Sequence, residues 1–176
     1  MENFPTIYTQ RLVLRKLTPD DFPLLVKHAN NRKVAQHILN MPHPFDEPQA
    51  VFRMHYVVQG FRNKERFVFA IALQDTDELI GEISLHVEQT RNIAQLAYWV
   101  AEPFWRQGFA TEAALSVIRF GLGTLGLQLI FAECHPDNIA SEKVLVKCGM
   151  MKNPGSGGIL QYVVEAKSAS EVRTSP

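Results

Sequence analysis

The sequence predicts an α/β protein with a mixed, α+β-type sheet, mostly antiparallel around one central parallel pair. Residues 66–73, 79–88 and 93–100 are apolar or alternating runs joined by short turns, the pattern of an antiparallel meander. An amphipathic helix separates the last of these from another apolar run at 127–135. Because a strand–helix–strand connection must cross over, this later run should lie parallel to the 93–100 strand.

The length and composition of the chain predict one globular domain. Its 176 residues are 46% hydrophobic, enough for a sizeable core. No repeat or linker divides the chain, so we expect a single domain over residues 1–165. The Ser/Lys/Glu-rich segment 166–176 should be a frayed tail.

The charge balance and the cysteines limit the kinds of partner and compartment. Acidic and basic residues number 18 each, which argues against a nucleic-acid partner. No apolar run approaches a membrane span, and the N-terminus lacks the pattern of a secretory signal. Cys134 and Cys148 do not form a disulfide framework and fit a reducing compartment. We therefore expect a cytoplasmic protein with no membrane partner.

A strand and two helices are predicted ahead of the meander. The alternation in Thr9–Leu17 indicates the first strand. Thr18, followed by proline and two acidic residues, is a helix start, and this helix should run to about Asn30. Asp46 begins the second helix with the same kind of signal, and this helix should end near Gln59.

The C-terminal part predicts one more helix and a hairpin. Residues 136–138 open the helix and Gly149 ends it. A hairpin follows from Met150, with a second arm at 159–164. The predicted buried residues of this helix are Ala140, Val144, Leu145 and Cys148.

The junction between the 93–100 strand and the next helix predicts an anion site. The strand feeds a short loop with Gly108 at its end, and small and apolar residues then recur at helical spacing from Ala110. The first N–H groups of a helix have no internal partner and carry partial positive charge. A glycine there lets an anion approach the backbone, so this junction should hold a phosphate.

The segment Gly121–Gly126 fits the letters of the dinucleotide fingerprint G-x-G-x-x-G. That fingerprint works only after a strand and before a helix. Here a predicted helix precedes the segment and a predicted strand follows it, so these glycines should end the helix and turn the chain.

Two motifs resemble the GNAT N-acetyltransferases, and within them the RimJ/RimL-like subgroup. The residues are Tyr98-Trp99, Phe104-Trp105 and Gly108-Phe109-Ala110-Thr111-Glu112-Ala113, together with the opening Thr9-Gln10-Arg11-Leu12-Val13-Leu14-Arg15. Trp105 departs from the general motif, which has Arg or Gln at that place. The resemblance implies a GNAT-like fold with the sheet splayed between the parallel strand pair and helices on both faces. It also implies acetyl-CoA as cosubstrate; no metal site is suggested by the cysteine and histidine spacing.

The resemblance also assigns the cofactor contacts. The pyrophosphate would be held by the backbone of Arg106, Gln107, Gly108, Phe109, Ala110 and Thr111. The Arg106 guanidinium is either an extra contact or a solvated charge. Main-chain groups of Trp99, Val100 and Ala101 would pair with the pantetheine arm, the alternative being ordinary sheet pairing.

Asn138-x-x-Ser141 resembles the subgroup's Asn-x-x-Ser. By resemblance, Asn138 bonds the pantetheine arm and the Ser141 hydroxyl donates to the leaving thiolate. The alternative makes Asn138 a helix cap and Ser141 a first-turn residue, and both can hold at once. Leu145 stands where many relatives have a catalytic tyrosine, so Ser141 or water must serve as the acid.

The general base is left open by the sequence. Glu82 and His86 share the polar face of their strand, and His86 has the better intrinsic pKa for the task. Glu133 and His135 are further candidates, and the competing interpretation for each residue is an ordinary solvated strand face. Gln95 replaces a glutamate that subgroup relatives often carry, which leaves a water relay open.

We therefore expect an enzyme that transfers an acetyl group from acetyl-CoA to a primary amine by direct attack in a ternary complex. By resemblance the acceptor is a protein N-terminal α-amine. The alternatives are a small-molecule amine, such as a polyamine or antibiotic, and a catalytically silent acyl-CoA-binding module. The Pro-rich loop 39–45 is either a wall of the acceptor groove or a surface connector. Homodimerisation through the sheet edges stays open.

Overall fold

Strand and helix signals alternate along the chain, and the elements form where these signals lie. The computed structural model describes residues 3–36, 43–153 and 157–166. The strands are β1 (Ile7–Tyr8), β2 (Leu12–Lys16), β3 (Arg66–Leu73), β4 (Leu79–Glu88), β5 (Ile93–Val100), β6 (Leu129–Cys134), β7 (Met151–Asn153) and β8 (Leu160–Glu165). The helices are α1 (Phe22–Ala29), α2 (Arg32–Ala35), α3 (Glu47–Arg62), α4 (Phe109–Arg119) and α5 (Ile139–Lys147).

Among the described residues, eight strands form one sheet, in the order β1-β2-β3-β4-β5-β6-β8-β7. The pairs from β1 to β5 are antiparallel; short turns join β1 to β2, β3 to β4 and β4 to β5, while α1 to α3 lie between β2 and β3. Strands β5 and β6 are parallel, and α4 is the crossover between them. The predicted mixed sheet with a central parallel pair is confirmed.

The parallel pair is joined only at its beginning. Ile93, Ala94 and Gln95 pair with Leu129, Ile130 and Phe131. Beyond this row, β5 continues to Val100 and β6 continues to Cys134. The structure describes every residue of these two stretches, and they do not pair with each other. The strands therefore diverge toward their carboxyl ends and leave a gap in the sheet, which confirms the predicted splay.

The core has two parts, one on each face of the sheet. On one face, α4 packs Ala113, Ala114 and Val117 against sheet residues such as Ile83 and Leu85. On the other face, residues from α1 to α3 pack against Ala70, Leu79, Trp99 and Ala101. Helices therefore cover both faces, as the resemblance implied, and neighbouring residues of β5 enter different cores.

Several predicted boundaries need correction. The predicted strand 127–135 is shorter, and the helix predicted from Thr18 begins with a 3₁₀ turn over Pro19–Asp21 before α1. Ala140 was predicted to be buried but is exposed, because α5 packs through Leu145 and Cys148 instead. Residues 39–42 of the Pro-rich loop lie outside the described residues, as do residues 167–176 of the predicted tail. The domain boundary at residue 165 stays a prediction.

The glycines of the Gly121–Gly126 segment end α4, as predicted. Residues 120–124 form a π-helical turn, and a strand rather than a helix follows. A side chain at Gly121 would lie 2.7 Å from the Ile130 side chain, so this glycine allows close packing against the sheet. Within residues 3–36, 43–153 and 157–166, every helix is too short or too polar to span a bilayer.

Candidate functional site

The loop between β5 and α4 exposes the amino end of the helix. Gly108, the N-cap residue, has a φ of 84°, and Arg106 also has a positive φ of 62°. The first N–H bonded within the helix belongs to Glu112, which donates to the Gly108 carbonyl at 3.0 Å. The three preceding N–H groups, of residues 109–111, lie at the mouth, and Gly108 has no side chain to cap them. The uncapped helix end that the sequence predicts is therefore present, and the binding of a phosphate there stays a prediction.

Three side chains hold this loop in place. The Trp105 indole N–H donates to the carbonyl of Val100, and the Gln107 amide donates to the Pro103 carbonyl at 3.1 Å. Arg11, from the turn before β2, donates from Nη1 to the Gln107 carbonyl at 2.9 Å. Trp105 therefore ties the loop to the end of β5, which accounts for an indole at the place where the general motif has Arg or Gln.

The same arginine and Thr9 bind Glu112 in the first turn of α4. Thr9 Oγ1 and the Arg11 backbone N–H donate to one carboxylate oxygen at 2.6 and 2.8 Å, and Arg11 Nε donates to the other at 2.8 Å. Burial works to raise the pKa of Glu112, but these hydrogen bonds outweigh it and lower the pKa below its usual value. The two motifs that carry the family resemblance are thus one contact network.

Alternation along β5 decides which main-chain groups face the gap. The Ala101 N–H donates to the Ile80 carbonyl at 2.7 Å, so Ala101 and Trp99 direct their main-chain groups toward β4. The pairing of residues 99–101 with a pantetheine arm stays a prediction. Tyr98 and Val100 direct their main-chain groups toward the gap, where the Val100 carbonyl meets Trp105.

Asn138 and Ser141 lie at the start of α5, beyond the end of β6. The Asn138 side chain accepts a hydrogen bond from the Ser141 N–H at 3.1 Å, so Asn138 is the predicted helix cap. The Ser141 hydroxyl lies 2.8 Å from the Tyr98 hydroxyl, which also donates to the Ser141 carbonyl at 3.2 Å. Burial raises the pKa of Tyr98, against the effect of its bond to Ser141, so the phenol stays protonated.

Glu82 is buried and doubly bound on the opposite face of the sheet. It is 2% exposed, so the interpretation of this strand face as solvated is wrong at Glu82. Arg53 Nε lies 3.0 and 2.9 Å from the two carboxylate oxygens, and the Trp99 indole N–H donates to one of them at 3.0 Å. The carboxylate thus links α3 to β5 through these two partners.

His86 lies on the same face as Glu82, at the row where β5 and β6 stop pairing. Its Nε2 lies 3.1 Å from the Ser84 hydroxyl. Burial, and then the charges of Arg66 and Arg53, lower the pKa of His86 below its usual value. The imidazole is therefore neutral near pH 7. It lines an open cavity of about 690 Å³ together with Gln95 and Phe131.

The two further base candidates lie on β6 and just after it. Glu133 accepts hydrogen bonds from Gln95 at 3.2 Å and Gln161 at 3.3 Å. His135 is exposed, and its Nδ1 lies 2.6 Å from an Asp137 carboxylate oxygen. No group of His, Cys, Asp and Glu side chains among the described residues could hold a metal ion.

The predicted site residues lie on both faces of the sheet. Tyr98 and Ser141 lie on the face covered by α4 and α5, and Glu82 and His86 lie on the face covered by α1 to α3. Sequence reasoning missed Arg53 and the Tyr98–Ser141 contact. The bond between Arg11 and Gln107 was missed too, although Arg11 belongs to a motif that the sequence singled out.

Comparisons with known proteins agree with this geometry. A family model described as an acetyltransferase (GNAT) domain matches residues 11–151. The uncharacterised N-acetyltransferase YoaA of Bacillus subtilis is 31% identical over 92% of this chain and 90% of its own length.

Solved structures with this fold include two with coenzyme A. RimJ of Mycobacterium smegmatis in complex with CoA-disulfide has a TM-score of 0.81 at 18% identity, covering 98% of this chain and 91% of that one. RimL, the ribosomal L7/L12 alpha-N-protein acetyltransferase, in complex with coenzyme A has a TM-score of 0.79 at 17% identity, covering 93% and 98%.

Proposed function

The chain belongs to the acetyltransferase (GNAT) family and is an acetyl-CoA-dependent N-acetyltransferase, and from this premise we propose that it acetylates a primary amine by direct attack in a ternary complex. The observation that carries the proposal is the gap between β5 and β6, which opens at the uncapped mouth of α4. The gap gives the acyl chain a path through the sheet. It also gives the acceptor access from the other face.

We place the diphosphate at the mouth of α4, on the backbone N–H groups of residues 106–111. The pantetheine arm would then lie along β5, against the main-chain groups of Tyr98 and Val100. Four residues of extended strand span about 13 Å, a length comparable to an extended pantetheine arm. This places the thioester near Leu96 and Tyr98. A main-chain N–H of this stretch that faces the gap would stabilise the oxyanion that forms from the thioester carbonyl. Asn138 would contact the arm from α5.

Leaving-group chemistry falls to Ser141 and Tyr98. A thiolate leaves more readily when a hydroxyl donates to it as the C–S bond breaks. The Tyr98 phenol stays protonated and lies 2.8 Å from the Ser141 hydroxyl, so it supports Ser141 as the donor. Ser141 and Tyr98 together supply the general acid, since Leu145 stands where many relatives have a catalytic tyrosine.

Proton removal falls to His86. The ammonium form of a peptide α-amine has a pKa of about 8 and that of an alkyl amine one of about 10, so either acceptor is mostly protonated at pH 7 and a base must take a proton before attack. His86 is neutral near pH 7 and lines an open cavity at the row where β5 and β6 stop pairing. Glu82 is already bound to Arg53 and Trp99, so we assign it to positioning rather than to proton transfer.

The acceptor we propose is the α-amine of a peptide or protein N-terminus. Arg53 and Arg66 lie close enough to lower the pKa of His86, and the same two charges would repel a polyamine. RimL, which shares the fold, is named for acetylating the α-amine of a ribosomal protein. A small monoamine remains the second candidate, since the cavity beside His86 is open.

Thiol release from acetyl-CoA tests the proposal directly. The purified protein is assayed with a panel of peptides that carry free N-termini, a polyamine and an aminoglycoside. We expect peptide-dependent release of CoA, with the polyamine as a poor acceptor. If none of the acceptors in the panel causes release of CoA, although CoA binds, the result would instead favour a silent acyl-CoA-binding module.

Gly108→Glu tests the cofactor site. The new side chain would place a negative charge and a strained backbone at the mouth of α4, and we expect CoA binding to be lost in calorimetry. Gly123→Glu is the matched control, because Gly123 is exposed and a side chain there would meet nothing within 4 Å. Equal CoA affinity in both variants would refute the diphosphate site.

A further inference from the structure

The orientation of one peptide group in the cofactor loop depends on Arg11. Arg11 Nη1 donates to the Gln107 carbonyl at 2.9 Å. In a planar trans peptide the carbonyl of one residue and the N–H of the next point in opposite directions. Holding the Gln107 carbonyl toward Arg11 therefore directs the Gly108 N–H away from Arg11 and toward the mouth of α4.

The need for such a hold follows from the backbone on either side. Arg106 and Gly108 both have positive φ, at 62° and 84°. Glycine visits several regions at little cost, so the peptide group before Gly108 is free to rotate unless a contact fixes it. A side chain at Gly108 would come within 3.4 Å of Arg11 Nη2, so the guanidinium also lies beside the glycine itself.

Arg11 also neutralises the one acidic residue in the first turn of α4. The Glu112 carboxylate would oppose a diphosphate bound at the same helix end. It instead forms an ion pair with Arg11 at 2.7 Å. The guanidinium carbon lies 4.3 Å from the centre of the Phe109 ring, which keeps the planar group in place.

We propose that Arg11 is a positioning residue for acetyl-CoA: it turns the Gly108 N–H toward the diphosphate and offsets the charge of Glu112. The proposal rests on the diphosphate site described above. A lysine cannot replace the arginine, because Nε binds Glu112 while Nη1 binds Gln107 and the plane lies on Phe109. A single ammonium cannot reproduce these contacts.

The test compares acetyl-CoA with S-acetylpantetheine, which lacks the diphosphate and nucleotide. We expect wild type to prefer acetyl-CoA in kcat/KM. Arg11→Gln and Arg11→Lys should each raise KM for acetyl-CoA about 10- to 100-fold, the effect of losing charge-assisted hydrogen bonds. Their kcat/KM for S-acetylpantetheine should equal that of wild type, because this substrate does not reach the loop.

Arg15→Gln is the matched control. Arg15 lies on β2 and binds Asp21 and Asp77, away from the cofactor loop. Its loss should lower thermal stability and leave the preference for acetyl-CoA unchanged. If the Arg11 variants lose equal activity on both substrates, or keep the wild-type preference, Arg11 has no role in positioning. If wild type shows no preference, the diphosphate site itself is wrong, and the Arg11 proposal fails with it.

Discussion

Glu82 and His86 show how burial separates two polar residues on one strand face. Both were base candidates from the sequence, since they point the same way. Glu82 is bound by Arg53 and Trp99, so accepting a proton would break a buried ion pair. His86 has a lowered pKa and a neutral imidazole near pH 7. Among these two, the chemistry of proton removal favours the histidine.

The pH profile of a His86→Gln variant tests this assignment. Wild-type log kcat/KM should rise with a slope of about one below the lowered pKa of His86 and then level off, because the neutral imidazole takes the proton from the bound ammonium group. The variant should lose roughly 100-fold in rate near pH 7 and rise with a slope of about one up to the pKa of the acceptor amine, about 8, because only the free amine then reacts. Rates are measured between pH 5 and 9 with one peptide acceptor.

Ser141→Ala provides the comparison for His86→Gln. If Ser141 assists the leaving group, this variant should lower kcat and keep the level region above the pKa of His86. A level region that persists in His86→Gln below the pKa of the acceptor amine would show that another group takes the proton.

The strand β5 directs alternate side chains to different faces of the sheet. Trp99 directs its side chain to Glu82 on the face covered by α1 to α3, while Tyr98 directs its side chain to Ser141 on the other face. The main-chain groups alternate as well, toward β4 for Ala101 and toward the gap for Val100. A two-residue period therefore lets one strand pair with β4 through alternate residues while the residues between them face the gap.

Amide hydrogen exchange across β5 tests this division. Adding CoA should slow exchange at Tyr98 and Val100 by at least about tenfold, because their N–H groups face the gap and would gain partners. Exchange at Trp99 and Ala101 should change only as much as in β3, which reports the general stabilisation by ligand. Residue-resolved NMR measures all of these amides in one sample. Equal protection along β5 would mean that the pantetheine arm does not pair with this strand.

The elements that local signals define were predictable from the sequence. The bounds of β3, β4 and β5 agree with the predicted runs, because alternation and turn residues fix them. The strand β1, of two residues, and the helix α2, of four, were missed. Elements this short are stabilised by neighbours such as β2 rather than by their own pattern.

The parts of the site that depend on distant contacts were not predictable. Glycine and helix signals place the mouth of α4, but Arg11 lies 96 residues before Gln107 in the chain. Arg53 lies 29 residues before Glu82, on a helix whose sequence gives no sign of a buried partner. Such contacts appear only once the sheet order is known.

The stability of the whole molecule depends on a buried histidine of the first helix. His28 on α1 is 6% exposed and packs edge-on against Phe104, in the loop between β5 and α4. Its Nε2 has no hydrogen-bond partner among the described residues. Burial, and then the charge of Lys27, lower the pKa of His28, against a smaller opposing effect of Glu78.

The pH dependence of global stability should therefore include His28. Its pKa is lower in the folded state than in the unfolded chain, where it is about 6.5, so the unfolded chain binds more protons below neutral pH. The free energy of unfolding should fall as pH drops from 7 to 5. His28→Leu should raise it by about 1 kcal/mol at pH 7 and reduce its fall in acid, with His86 and the carboxylates of Asp21 and Glu112, whose pKa values are also lowered, contributing to the rest. Urea denaturation at each pH measures both effects, with the exposed His55→Gln as control. An acid slope in His28→Leu equal to that of wild type would show that His28 accepts a proton without loss of stability.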